Sequence, residues 1–429
     1  MNKNIIETDA AHVWHPYSPL LTKRNVLEVI SAKGMYLHLA DGTKLLDAIS
    51  SWWVNIHGHA NEELAKAVHD QILSLDHTLF AGFTHKPAVE FATRFLETIE
   101  CEQQRLIYSE NGSTAVEVAL KLAIQYWKNK GAHKTTFIAI EGAFHGDTFG
   151  AMSVSARGLF TEAFDSLLNP VLFIPFPDGT NDDLVVSTLE KYIRGGEVAA
   201  FIYEPLIQGT AGMRIYSPEM LTKMILLCRK YNVLCIADEV MTGFGRTGKK
   251  FASHYSTVHP DMMCFSKAIT GGLLPLGVTT CTREVEKPFL TDQLHRAFFH
   301  GHSYTANATI CRLALESLNL FESADCQENI TRIGSKHKTF LLTIVNHAGV
   351  KRVQCLGTIL AIELQTRNGS THYEHEIRHF LYDFFLSKEI LLRPLGNIIY
   401  ILPPYIITNQ QLDEIYVAVD EMLIALESK

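Results

Sequence analysis

Short apolar segments, separated by stretches of helical character, are what most constrain the fold of this chain. The segments are Thr136–Ile140, Val171–Ile174, Ala199–Tyr203, Val233–Ala237, Met262–Phe265 and Val278–Cys281. Runs this short and this continuously apolar read as strands buried on both faces. Between them, Thr114–Lys128 carries apolar residues at helical spacing. Pro218–Tyr231 opens with Ser217 as an N-cap and Pro218 in the first turn. Strands alternating with helices predict an α/β architecture, a mostly parallel central sheet covered by helices on both faces. Ligands of such sheets collect at the carboxyl ends of the strands, so the residues just after each apolar run carry the functional information.

The two ends of the chain differ from its middle. Residues 1–55 hold aromatics and a hairpin signal at Ala40-Asp41-Gly42, and residues 325–429 mix helices with short strands such as Val353–Gln354, Ile359–Leu364 and Ile398–Leu402. We expect these ends to combine into a smaller α+β domain beside a large domain of residues 56–324. The 429 residues are ample for two such units, and 47% hydrophobic with 20% charged residues suits a globular enzyme rather than a disordered chain. A net charge of −8 without a basic run argues against a nucleic-acid partner. No apolar segment of ~20 residues is present to span a membrane. The eight cysteines form no C-x-x-C pair; we expect reduced, buried thiols in a cytoplasmic protein.

Two strand ends stand out. Leu234-Cys235-Ile236-Ala237-Asp238 places an aspartate at the end of one run, and Met262–Phe265 is followed by Ser266-Lys267. A lysine amine that can form a Schiff base with an aldehyde, beside a carboxylate that keeps a pyridine nitrogen protonated, is the pair that pyridoxal 5'-phosphate (PLP) chemistry requires. The bland reading is a helix-capping aspartate and a lysine reaching to solvent; for either residue alone it prevails. A third element is Glu110-Asn111-Gly112-Ser113-Thr114, where a glycine and two hydroxyls open a helix. Such a turn suits a phosphate, although an ordinary N-cap has the same composition.

Other motifs carry less. Gly243-Phe244-Gly245-Arg246-Thr247-Gly248 matches a dinucleotide fingerprint and makes an NAD-dependent dehydrogenase a distant alternative, but no strand–turn–helix context surrounds it. His57-Gly58-His59 and His300-Gly301-His302 have no companion ligands, so no metal site is expected. Trp52 and Trp53 are read as strand neighbours on opposite faces, one in the core and one walling an apolar pocket. Arg393, before Pro394, suits a carboxylate clamp; its bland counterpart is a surface ion pair.

Taken together, Ala237-Asp238-Glu239-Val240 with Gly243–Gly248, Asp261, and Ser266-Lys267-Ala268 with Gly271-Gly272 resemble the class III PLP-dependent aminotransferases. Trp14-His15-Pro16-Tyr17, Ser50-Ser51-Trp52-Trp53, Phe144–Ser153, Arg393-Pro394 and Pro403-Pro404-Tyr405 narrow the resemblance to the members that act in biotin biosynthesis. The resemblance implies the PLP-dependent transferase fold type I and a homodimer. It implies transfer of an amino group to 8-amino-7-oxononanoate from S-adenosylmethionine, or from lysine as in some relatives. Residue by residue, Lys267 resembles the Schiff-base lysine and Asp238 the partner of the pyridine nitrogen. Gly112 and Ser113 match the phosphate turn, and His302 and Ser303 a phosphate-binding pair from the partner subunit. Tyr17, Trp52, Trp53, Phe144 and Gly301 match residues lining the substrate, and Arg393 the arginine holding its carboxylate. Phe144 departs from the tyrosine usual in these enzymes: the ring that stacks on the cofactor remains, the hydroxyl does not, and the donor is left open. Another class III ω-aminotransferase is the alternative.

Overall fold

The computed structural model describes residues 5–21, 26–366 and 375–427. Its center is a seven-stranded sheet in the order 103–109, 277–282, 262–265, 234–238, 198–203, 136–140, 171–174. The last five run parallel to one another, and Gly277–Thr282 is antiparallel to both its neighbors. All six expected strands are present, with ends moved by a residue in several of them. A seventh, Gln103–Ser109, forms an edge; it grows from the apolar Leu106–Tyr108 just before the glycine-containing turn.

Burial on both faces explains the continuous apolar runs. In Leu234–Asp238, Leu234 and Ile236 face one core while Cys235 and Ala237 face the other; Met262–Phe265 alternates the same way. The helix Gly112–Asn129 covers the first face through Ala115, Val116, Ala119 and Ala123. Small side chains there let the helix lie close to the sheet. The helix Pro218–Lys230 begins as expected, with Ser217 Oγ accepting the N–H of Met220 at 3.1 Å.

The hairpin around Asp41-Gly42 joins Tyr36–Leu39 to Lys44–Asp47. Its sheet takes a fourth strand from far along the chain, where Ile390–Leu391 lies parallel to Leu46–Asp47. Leu402 N–H donates to Ala48 O at 2.8 Å and Tyr405 N–H to Ile56 O at 2.9 Å. These contacts bring segments from the two ends of the chain together. A three-stranded sheet of Val350–Leu356, Ile359–Leu364 and Ile398–Ile401 lies beyond it. Among the described residues no helix is long and apolar enough to cross a membrane. Seven cysteines are buried and Cys355 is half-buried.

Trp52 and Trp53 depart from expectation. They lie not on a strand but in a tight turn, in which Ser50, Ser51 and Trp53 all have positive φ, at 54°, 60° and 68°. Each such residue costs of order 1 kcal/mol, so the turn must be held from outside. Asp47, with no exposure, does this. Its Oδ1 accepts Ile49 N–H at 3.1 Å, and its Oδ2 accepts Ser51 N–H at 2.7 Å and His59 Nε2 at 2.8 Å. Ser50 Oγ donates to Leu402 O at 2.8 Å. One tryptophan is still in the core and the other outside, Trp53 at 5% and Trp52 at 38% exposure, but the turn rather than a pleat separates them. Replacing Asp47 with alanine leaves the Ile49 and Ser51 N–H groups and His59 Nε2 without this acceptor. The expected loss is about 3 kcal/mol of unfolding free energy, read as a lower denaturant midpoint, with the Asp47→Asn variant in between.

Candidate functional site

The parallel register of Asp238 with Cys264 brings the ends of two neighboring strands to one edge of the sheet. Asp238 closes its strand and Lys267 follows the next by two residues, so both reach the same cleft, of about 680 Å³. Gly112, Ser113, Phe144, Tyr17, Trp52, Trp53 and Arg393 line it too. Residues separated by more than 370 positions are thus gathered at the carboxyl ends of the strands.

Lys267 begins a short 3-10 turn with φ at 47°, and its Nζ lies 4.8 Å from the Trp53 ring center. Burial lowers the pKa of this amine, and the buried Arg246 adds to that; the nearby Asp238 and Glu204 oppose it. The balance favors an amine that gives up its proton more readily than a solvated lysine, as a nucleophile and proton carrier must. Asp238 is 4% exposed. Its Oδ1 accepts Val240 N–H at 3.0 Å and its Oδ2 faces His145 Nδ1 at 2.7 Å. A carboxylate oriented from two sides in this way is suited to hold a protonated ring nitrogen.

The turn at residue 111 presents open donors. Asn111 takes the N–H of Thr114 on its side chain at 3.0 Å and that of Ala115 on its carbonyl at 3.0 Å. The N–H groups of Gly112 and Ser113 are left at the helix N-terminus facing the cleft. Thr114 contributes differently from expectation: its hydroxyl closes the capping box with Asn111. Close packing keeps the approach narrow. A Cβ on Gly112 would lie 2.7 Å from Val240 Cγ1, and one on Gly146 (φ 131°) 2.1 Å from Ser113 Oγ. The Ser113 hydroxyl also accepts Asp147 N–H at 3.2 Å.

The mouth is aromatic. Tyr17 packs edge-on against Trp52 at 5.8 Å and Phe160 at 5.5 Å between ring centers, and its hydroxyl donates to Asp147. The Arg393 guanidinium lies 4.4 Å over the Trp52 ring. No carboxylate among the described residues pairs with it, so the surface ion pair does not apply. Lys267 Nζ and the Arg393 guanidinium therefore lie over two adjacent tryptophans, Trp53 and Trp52.

Gly301, His302 and Ser303 are not brought into this cleft. They lie in a turn where His302 Nδ1 is 3.1 Å from Glu110 Oε1 and Ser303 O faces His77 Nε2 at 2.7 Å. The Gly243–Gly248 loop is closed to ligands: Phe244, Arg246 and Thr247 are buried, and Arg246 points into the protein. A dinucleotide would find no strand–turn–helix cradle there. Of the His-x-His pairs, His57 meets Ser317 and His59 meets Asp47.

Two contributors were missed. His145, inside the Phe144–Ser153 motif, is the partner of Asp238, and its Nε2 is buried with no hydrogen-bond partner among the described residues. Glu204 directly follows the strand Val198–Tyr203 and lines the cleft; reading every strand end would have found it. Burial raises its pKa to about 7, with Asp238 adding to the rise and His145 opposing it.

An amine held in a dry site, a carboxylate for a ring nitrogen and open N–H groups for a phosphate fit PLP. Comparison with known proteins agrees. Residues 21–423 match the family described as "Aminotransferase class-III". An adenosylmethionine-8-amino-7-oxononanoate aminotransferase of Synechococcus elongatus is 40% identical over 96% of this chain and 98% of its own length. One of Staphylococcus aureus is 35% identical over 94% of each. The crystal structure of such an enzyme from Methanocaldococcus jannaschii superposes with a TM-score of 0.92 at 32% identity, over 97% of this chain and 98% of that one. A PLP-bound amine transaminase from an uncultivated Pseudomonas species superposes with a TM-score of 0.90 at 27% identity, over 95% and 97%. The chain belongs to the class III aminotransferases, with the fold of that family and PLP as its cofactor.

Proposed function

We propose that this aminotransferase converts 8-amino-7-oxononanoate to 7,8-diaminononanoate in biotin biosynthesis, with S-adenosylmethionine as the amino donor and lysine as the other candidate. The observation that carries this reading is the Arg393 guanidinium over Trp52, with Lys267 Nζ over the adjacent Trp53. A guanidinium with no carboxylate partner among the described residues calls for one from the substrate, and the aromatic wall between it and Lys267 calls for a long apolar chain. The acceptor has both: a carboxylate at one end, methylenes, each worth ~0.8 kcal/mol when buried, and a ketone at the other end. The full-length relatives in Synechococcus and Staphylococcus support the same assignment.

Bound PLP supplies the electron sink that makes the carbon next to the nitrogen acidic. The chain's own residues do the rest. Gly112 and Ser113 would hold the phosphate, Asp238 with His145 behind it would hold the ring nitrogen, and Phe144 would flank the ring. Lys267 Nζ would hold the cofactor through its aldehyde and, as a free amine, would move a proton at the reacting carbon. Arg393 fixes which end of the acceptor enters. Tyr17, Trp52 and Phe160 form an aromatic mouth that would limit water at the bound substrate.

We further propose a homodimer in which Gly301, His302 and Ser303 complete the phosphate site of the partner. The exposed apolar side chains Leu73, Leu79, Phe83 and Tyr304, between 60% and 76% exposed, support a covered face near that turn. Light scattering on the purified protein should give twice the mass of the chain; a monomer rejects the assignment of these three residues.

Lys267→Ala is expected to remove the visible absorbance of the bound cofactor that the lysine creates; an unchanged spectrum would sink the role of Lys267. Arg393→Ala should raise KM for 8-amino-7-oxononanoate about 10- to 100-fold, the loss of a charge-assisted pair, with little effect on donor discharge. The donor is identified by single-turnover bleaching with S-adenosylmethionine, lysine and 4-aminobutyrate in separate cuvettes. Discharge by 4-aminobutyrate alone would favor the ω-transaminase reading, which the amine transaminase superposition keeps as the second candidate. Phe144→Tyr is expected to improve use of S-adenosylmethionine; no gain would show that the missing hydroxyl does not set the donor.

A further inference from the structure

Glu204 has no role in the chemistry above, yet it is built into the cleft. It is 6% exposed, and each carboxylate oxygen is committed to a different wall. Oε1 accepts Phe144 N–H at 3.2 Å and Oε2 accepts Gly209 N–H at 2.9 Å. Its own carbonyl is held by Tyr216 Oη at 2.8 Å. Gly209 follows Ile207–Gln208, which pairs with Arg214–Ile215 in a small hairpin whose Thr210 lines the cleft. A second level of the same seam lies behind it. Gln208 Nε2 and Arg214 Nη2 both donate to Glu141 O, at 3.2 and 3.0 Å, and Arg214 Nη2 also meets Gln208 Oε1 at 2.6 Å. The hairpin is thereby stitched to the segment that presents Phe144.

We propose that Glu204 is a positioning residue of the transamination site, clasping the Phe144 wall to the Ile207–Ile215 hairpin and placing a second negative charge beside Asp238 and Lys267. This rests on class III membership and PLP alone, not on the choice of acceptor or donor. The groups that face Glu204 are His145, Asp238 and Lys267 in the cleft and Arg214 and Tyr216 on the hairpin side. With a pKa raised to about 7 by burial, Glu204 gains its charge within the neutral range. That charge favors a protonated nitrogen at Lys267, so its removal must make that nitrogen lose its proton at lower pH.

The test is a pH titration of the visible spectrum of the holoenzyme, with KM measured for whichever of S-adenosylmethionine, lysine and 4-aminobutyrate discharges the wild type. Glu204→Gln is expected to lower the spectral midpoint by about half a pH unit or more. Its amide can accept only one of the two N–H groups, so KM should rise roughly 3- to 10-fold. Glu204→Asp keeps the charge but shortens the reach: its midpoint should stay near that of the wild type while KM rises. An unmoved midpoint in Glu204→Gln overturns the electrostatic role, even with a lowered melting temperature, because that is the mark of a merely structural residue. An unchanged KM in both variants overturns the clasp. Should Glu204→Gln not fold, Glu204→Asp decides, and a wild-type KM there rejects the proposal.

Discussion

A single buried guanidinium ties the parts of this enzyme together. Arg246 is fully buried, in a loop that leaves the large sheet. Its Nη1 donates to Pro403 O at 2.9 Å, its Nη2 reaches Trp53 O and Asn55 O at 3.3 Å, and its charge lies 5.1 Å over the Tyr405 ring. Its own carbonyl accepts Thr358 N–H at 2.9 Å. Burying such a charge is costly; three carbonyls, an aromatic face and the charge of Asp47 offset the cost. In return, the turn of Trp52 and Trp53, the C-terminal segment and the central sheet share one anchor. The strained backbone of that turn persists because Asp47 holds it from one side and Arg246 from the other.

The same principle governs the catalytic edge. The Asp238 and Glu204 carboxylates there are buried, and the charges are arranged against one another. Asp238 is oriented by His145, Glu204 is spent on two backbone donors, and Lys267 is left with a depressed proton affinity beneath Trp53. In a low-dielectric cleft each of these charges changes the others, so both the charge of each group and its distance from its neighbors matter. Phe144 belongs to this network through its backbone even though its side chain carries no polar atom.

Much of this was legible in the chain. The strands were, because burial on both faces leaves a continuous apolar signature. Lys267 and Asp238 were as well, because the ends of adjacent parallel strands must meet. The edge strand Gln103–Ser109 was only half visible, since Gln103 and Arg105 interrupt its apolar pattern. The Trp52-Trp53 turn was misread as a strand: adjacent aromatics suggest a pleat, while the positive φ angles depend on acceptors distant in sequence. His145 and Glu204 were not assigned, because a histidine or a glutamate gains its role only from what folds against it.

The sequence by itself determined the sheet, its covering helices, the meeting of Lys267 and Asp238 at one sheet edge, and the family resemblance, because these follow from local periodicity and from the chemistry of a few side chains. Only the tertiary structure decided that Arg393 lies above Trp52 with no carboxylate partner among the described residues, that Arg246 is an interior clamp, and that Glu204 joins two walls of the cleft. Those are facts about charges and their neighbors. Neighbors separated by tens to hundreds of residues are set by long-range packing, which no local pattern records.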